Sequence, residues 1–158
     1  MRKLILLFIL LLAVTFTQAQ DNFNLDELPN VLVRELNKFR IKNGLDTFEM
    51  NDVLITAAGI DAKTFVKSGA AKVDPEKVKK NLVKAGGTKK GEEVAMLAPV
   101  SKGRDNYKTE EVAKVIWTRW ENNKKDKEIL LKAQYMLIGI KCEMLKDGKK
   151  VVATAVFG

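Results

Sequence analysis

The C-terminal end of the chain limits its fold most. Tyr135 to Leu145 and Lys149 to Phe157 are both β-rich runs, and Asp147-Gly148 between them is a tight-turn dipeptide. This reads as a hairpin. Before it the pattern is mainly helical. Leu28, Leu32, Leu36 and Phe39 recur at helical spacing over about Glu27 to Lys42, with Pro29 tolerable in the first turn and Gly44 placed to end the helix. Leu45 to Met50 reads as an extended link, and Asn51 caps a second helix to about Lys67. Asp74 followed by Pro75 opens a third, which runs to about Ala85 before Gly86-Gly87. Gly91 to Leu97 reads as a strand, Ala98 to Lys108 as a polar loop, Thr109 onward as a helix, and Asp126 to Leu131 as a helical turn. Helices first and a hairpin last argue an α+β domain built in layers.

The start of the chain is different in kind. Met1-Arg2-Lys3 precedes an almost wholly apolar run from Leu4 to Val14, and Thr15 to Gln20 forms a polar break. A basic start, a short apolar core and small residues at Thr17 and Ala19 make a secretory signal, with cleavage expected after Ala19. The apolar run is short of the roughly 20 residues that span a bilayer. The expected organisation is a signal peptide over 1–19, a short leader over 20–26 and one domain over 27–158, secreted or periplasmic and with no membrane span after cleavage.

Composition then narrows the chemistry. The formal net charge is +8, and the lysines fall in scattered pairs such as Lys79-Lys80 and Lys124-Lys125. They do not interleave with aromatic residues as a nucleic-acid platform would, so no nucleic-acid partner is expected, and the charge implies weak attraction to anionic surfaces. Cys142 is the lone cysteine and no histidine is present. No internal disulfide can form, and the usual Ser-His and Cys-His catalytic pairs are absent. The missing cysteine pairs and the simple signal point to a bacterial source.

Three segments, in order, resemble the CAP superfamily (cysteine-rich secretory proteins, antigen 5 and pathogenesis-related proteins, also called SCP domains). The first is Leu36-Asn37, Arg40, Gly44-Leu45, Ala57-Ala58 and Ala62; the second is Gly91-Glu92-Glu93-Val94-Ala95; the third runs from Trp120 through Asp126, Ile129-Leu130 and Ile138-Gly139-Ile140 to Phe157-Gly158. The resemblance covers nearly all of the chain after the signal. It implies an α-β-α sandwich with a small antiparallel sheet flanked by helices, and one open cleft.

The resemblance also implies a cleft tetrad of two histidines and two acidic residues. Its positions fall on Asp61, Glu92, Asn123 and Asp126, so both imidazoles are replaced by aspartate. Zinc is not expected without histidine, whereas Asp61, Glu92 and Asp126 form an oxygen set suited to a hard cation such as calcium or magnesium. Asp61 stands out without the family pattern. On its helix Leu54, Ala57, Ala58 and Phe65 lie within about 60° of it, so it sits inside an apolar stripe where an unpaired charge is costly. Three readings stand at this point: acids at a cleft rim neutralised by lysine and water, a cation site, or a carboxylate pair sharing a proton. Glu93, where the family pattern has Asn, is expected to point away from the cleft or to pair with a lysine. Arg40 is expected to tie its helix to a neighbouring loop. Trp117 and Trp120 are read as core and cleft wall, and Met50, Met96, Met136 and Met144 as fillers of core gaps.

No nucleophile has a positioned base, so the expected function is a non-enzymatic secreted module that binds a lipid, glycan or protein partner through one cleft. The alternatives are an envelope or extracellular hydrolase using the acidic cluster, with or without a cation, and a structural envelope protein.

Overall fold

The computed structural model describes residues 23–102 and 105–158. The expected signal peptide and its cleavage position lie outside the described residues. Residues 23–26, expected as leader, are docked on the domain. Phe23 and Leu25 pack on the main core, the Asn24 N–H donates to Thr109 Oγ1 at 2.8 Å, and Asn24 Oδ1 accepts the N–H groups of Asp26 and Glu27.

The elements follow in the order α1 (Leu28–Lys42), β1 (Glu49–Met50), α2 (Asp52–Ser68), α3 (Pro75–Lys84), β2 (Glu92–Pro99), β3 (Ser101–Lys102), β4 (Asp105–Asn106), α4 (Thr109–Asn122), α5 (Lys124–Leu130), β5 (Leu137–Met144) and β6 (Lys150–Phe157). The expected caps form. Asn51 Oδ1 accepts the Leu54 N–H at 3.1 Å, and Asp74 Oδ1 accepts those of Glu76 and Lys77. Each cap contributes about 1 kcal/mol. The segment expected as a polar loop carries the β3–β4 ribbon, with Ser101 opposite Asn106.

The main sheet has the order β1-β5-β6-β2. β5 and β6 form the expected hairpin, and β2 pairs antiparallel to β6 with Glu92 opposite Phe157 and Glu93 opposite Val156. The two-residue β1 runs parallel to β5, Glu49 beside Leu137, so the sheet is mixed at one edge. That edge is set by the short link after α1, which lays Glu49 and Met50 beside the start of β5.

Helices cover both faces, giving the α-β-α sandwich. On one face Val94, Met96, Ala98, Ile138, Ile140, Cys142, Ala153, Ala155 and Phe157 pack with α1, α4 and α5. On the other, Val156 packs with Leu54, Ala57 and Ala58 of α2 and with Val78 and Leu82 of α3, while Val152 packs with Ala62 and Phe65. β6 is buried along all its residues except Lys150 because it lies between the layers. Strand side chains alternate between faces, so Glu92 joins the first face with Phe157 and Glu93 the second with Val156. That parity decides the site.

Arg40 acts as a tie. It is 1 % exposed and lies 4.0 Å over the Phe48 ring. Its Nε donates to Asp46 O, Nη1 to Leu130 O and Lys132 O, and Nη2 to Tyr135 O, all within 3.1 Å. Trp120 is buried in the core, and Trp117 packs edge-on against Phe39 at 4.8 Å. The methionines divide: Met96 is core and Met144 packs against it, but Met50 and Met136 are exposed, a correction to the gap-filling expectation. Both sit at the β1 edge of the sheet.

Candidate functional site

Asp61 lies in the third turn of α2 and is 4 % exposed. One oxygen, Oδ1, accepts Asn81 Nδ2 from α3 at 2.7 Å; the other, Oδ2, is buried with no partner. Burial raises its pKa above the ordinary aspartate value, and the nearby Asp74 charge adds to this, while the Asn81 hydrogen bond and the Lys77 charge oppose it. The apolar stripe read from the sequence is thus real, and Asn81 supplies half of what the carboxylate needs there.

Behind Asp61, on the same face of the sheet, stands Glu93. It is 5 % exposed, and neither carboxylate oxygen has a partner. Burial, with the Asp61 charge added, pushes its pKa up to about 9, so at neutral pH Glu93 carries a proton. Thr154, on the neighbouring strand and the same face, is fully buried with its Oγ1 unpartnered. Among the described residues Glu93 pairs with no lysine, contrary to one of its two expectations, and sequence reasoning did not count it with the site residues. The signal was available as strand parity: if Val94, Met96 and Ala98 face one layer, residue 93 must face the other.

Glu92 turns the opposite way. Its Oε2 accepts the Lys132 ammonium and, at 2.9 Å, the Tyr135 hydroxyl. Burial, together with Glu92, pushes the Tyr135 phenol up to about 12. Asn123 is the N-cap of α5, its Oδ1 accepting the Asp126 N–H at 3.1 Å. Burial raises the Asp126 pKa, with Lys125 opposing. The structure therefore brings Asn123 and Asp126 together, places Glu92 on their side of the sheet, and puts Asp61 on the other. Among the described residues no three His, Cys, Asp or Glu side chains gather as a metal site, so the expected cation set of Asp61, Glu92 and Asp126 is not assembled. The physical reason is the sheet between them.

Asp61 opens onto a cleft of about 520 Å³ between the C-terminal half of α2 and the start of α3, walled by Phe65 and Val73 and edged by Lys72 and Lys77. Its two hydroxyls are spent elsewhere. Thr64 Oγ1 donates to Ile60 O at 3.0 Å, and the single Ser68 hydroxyl proton is shared between Phe65 O and Ala70 O. Among the described residues neither hydroxyl is hydrogen-bonded to Asp61. Cys142 is on the far face, and burial pushes its thiol far up. Such an arrangement can hold a ligand.

No family model matches the sequence, and no curated protein sequence is significantly similar. Solved structures are. An outer surface protein of Borrelia burgdorferi superposes with a TM-score of 0.65 at 17% identity, covering 87% of this chain and 96% of that one. The CAP domain of enterococcal PrgA gives 0.61 at 16%, covering 89% and 62%. Venom allergen-like protein 4 of Schistosoma mansoni gives 0.51 at 12%, covering 88% of each. The likeness spans bacterial and animal proteins and establishes the fold: an α-β-α sandwich of the CAP/SCP kind.

Proposed function

We propose that this chain, with its CAP/SCP fold, is a secreted bacterial module that binds a lipid, glycan or protein partner in the α2–α3 cleft and does not turn it over. One observation carries the reading: the cleft is lined by a buried carboxylate with one unpartnered oxygen, and its hydroxyls are committed to helix carbonyls rather than to that carboxylate. Buried acceptors left unpaired cost about 1–3 kcal/mol, and a ligand that donates to Asp61 recovers this. The signal-like N-terminal pattern and the likeness to the Borrelia burgdorferi outer surface protein support a place outside the cytoplasm.

The test is a thermal-shift and calorimetric screen of the secreted form against acyl lipids, oligosaccharides and peptides, with recovery of each hit by mass spectrometry. We expect saturable binding, the ligand recovered intact, and affinity lowered about tenfold by Asp61→Ala. Recovery of cleaved ligand that depends on Asp61 would replace this reading with the envelope hydrolase.

A further inference from the structure

We infer that the α2–α3 cleft is a site for an acidic saccharide, with α2 accepting its hydroxyl protons and the facing lysines pairing with its anionic group. This rests on the binding-module reading of the same cleft and goes further by naming the ligand class. Asp61, Thr64 and Ser68 are spaced i, i+3 and i+7, so they share one face of α2. All three line the cleft. The Thr64 hydroxyl proton goes to Ile60 O and the single Ser68 proton to Phe65 O or Ala70 O, while Ser68 Oγ also accepts the Ala70 N–H at 3.3 Å and keeps one lone pair. Toward the cleft these side chains therefore offer lone pairs. Asp61 adds Oδ2, buried and unpartnered, while Asn81 fixes the carboxylate through Oδ1. Neutral Glu93 behind it spares the site a second buried charge.

One wall is thus a row of acceptors, interrupted by the Phe65 ring. The opposite edge carries two donors, Lys72 and Lys77, both exposed, beside Asp74, whose Oδ1 is taken up by the N–H groups of Glu76 and Lys77. Neither lysine is in an ion pair among the described residues. A sugar ring supplies several O–H donors on one edge and an apolar C–H face to set against Phe65 and Val73. A carboxylate on the ring then meets the lysines. Competing ligands fit less well. A fatty acid satisfies the lysines but leaves the acceptors dry, and an alkylammonium satisfies Asp61 but faces two like charges. The cleft volume of about 520 Å³ is in the usual range for small-ligand sites.

The experiment titrates the secreted protein with a short oligogalacturonide, using a neutral galactan oligomer and hexylamine as comparisons, followed by calorimetry and amide chemical shifts. The expected result is saturable uronate binding with shifts centred on residues 61–77. The double change Lys72→Ala/Lys77→Ala, on an exposed rim that does not hold the fold, should weaken it about tenfold toward the neutral oligomer. Salt raised from ~0.05 to ~0.5 M should weaken it too. Asp61→Ala should lower affinity for both saccharides. Equal binding of acidic and neutral oligomers, untouched by the lysine changes, overturns the acidic class while the binding-module reading stands. Saturable binding of a lipid or peptide here, with no saccharide bound, does the same. Cleavage of the oligogalacturonide overturns the binding-module reading itself.

Discussion

A carboxyl group whose two oxygens are shut from water and unpaired is far more stable neutral than charged, and Glu93 is such a group. Its folded pKa of about 9 lies above the ordinary 4.5, so the folded chain keeps a proton that the unfolded chain gives up. The sign follows from proton linkage. The contribution to stability is full below about pH 4.5 and is lost as pH rises toward about 9. Within that window the slope approaches about 1.4 kcal/mol per pH unit. Asp61, also raised, acts in the same direction. Glu93→Gln keeps the shape and removes the titration, so its stability should match the parent near pH 4, exceed it at pH 8, and vary less between. Urea unfolding across that range measures this. A pH slope as steep in the variant as in the parent would assign the effect to another group.

Between elements, α2 comes very close to β5 at Gly139. An added Cβ at Gly139 would lie 2.0 Å from Leu54 C and 2.1 Å from Ile55 N. Both are helix backbone, so no side chain can swing aside, and α2 would have to lift from the sheet with Asp61 and its cleft. Gly139→Ala should cost about 3 kcal/mol by denaturant unfolding. Gly148→Ala is the control: its φ of 64° strains an alanine, but nothing lies within 4 Å, and the cost should be about 1 kcal/mol. Similar small losses in both would mean that α2 does not rest on Gly139. The sequence displays the helix starts at Asn51 and Asp74 and the Asp147-Gly148 turn because each depends on a few adjacent residues. It does not display β1, whose two residues pair only because Leu137 and Ile138 arrive beside them from far along the chain.

At the scale of the whole molecule the sheet is a partition, and this explains how much of the site could be read in advance. That Asp61 is buried on an apolar stripe follows from helical spacing alone. That Glu92 and Glu93 face opposite layers follows from strand parity. Which layer holds α2 depends on how all four strands are ordered, and no local pattern carries that. Aligning four positions along the chain therefore grouped Asp61 with Glu92 and Asp126, although β-strands separate them, and left Glu93 aside. The consequence for cations is direct. Calcium takes six to eight oxygens in one shell. Asp61 has a single free oxygen on one side of the sheet, and on the other side the Glu92 carboxylate is engaged by Lys132 and Tyr135. Millimolar calcium, magnesium or zinc should leave the melting temperature of the protein within about 1 °C of its value in chelator, since a ligand that binds only weakly adds little by mass action. Asp61→Asn, Glu92→Gln and Asp126→Asn should all leave that null response unchanged. A saturable rise in melting temperature with calcium that Asp61→Asn abolishes would require the two layers to open enough to share a cation across the sheet edge, and would overturn the partition.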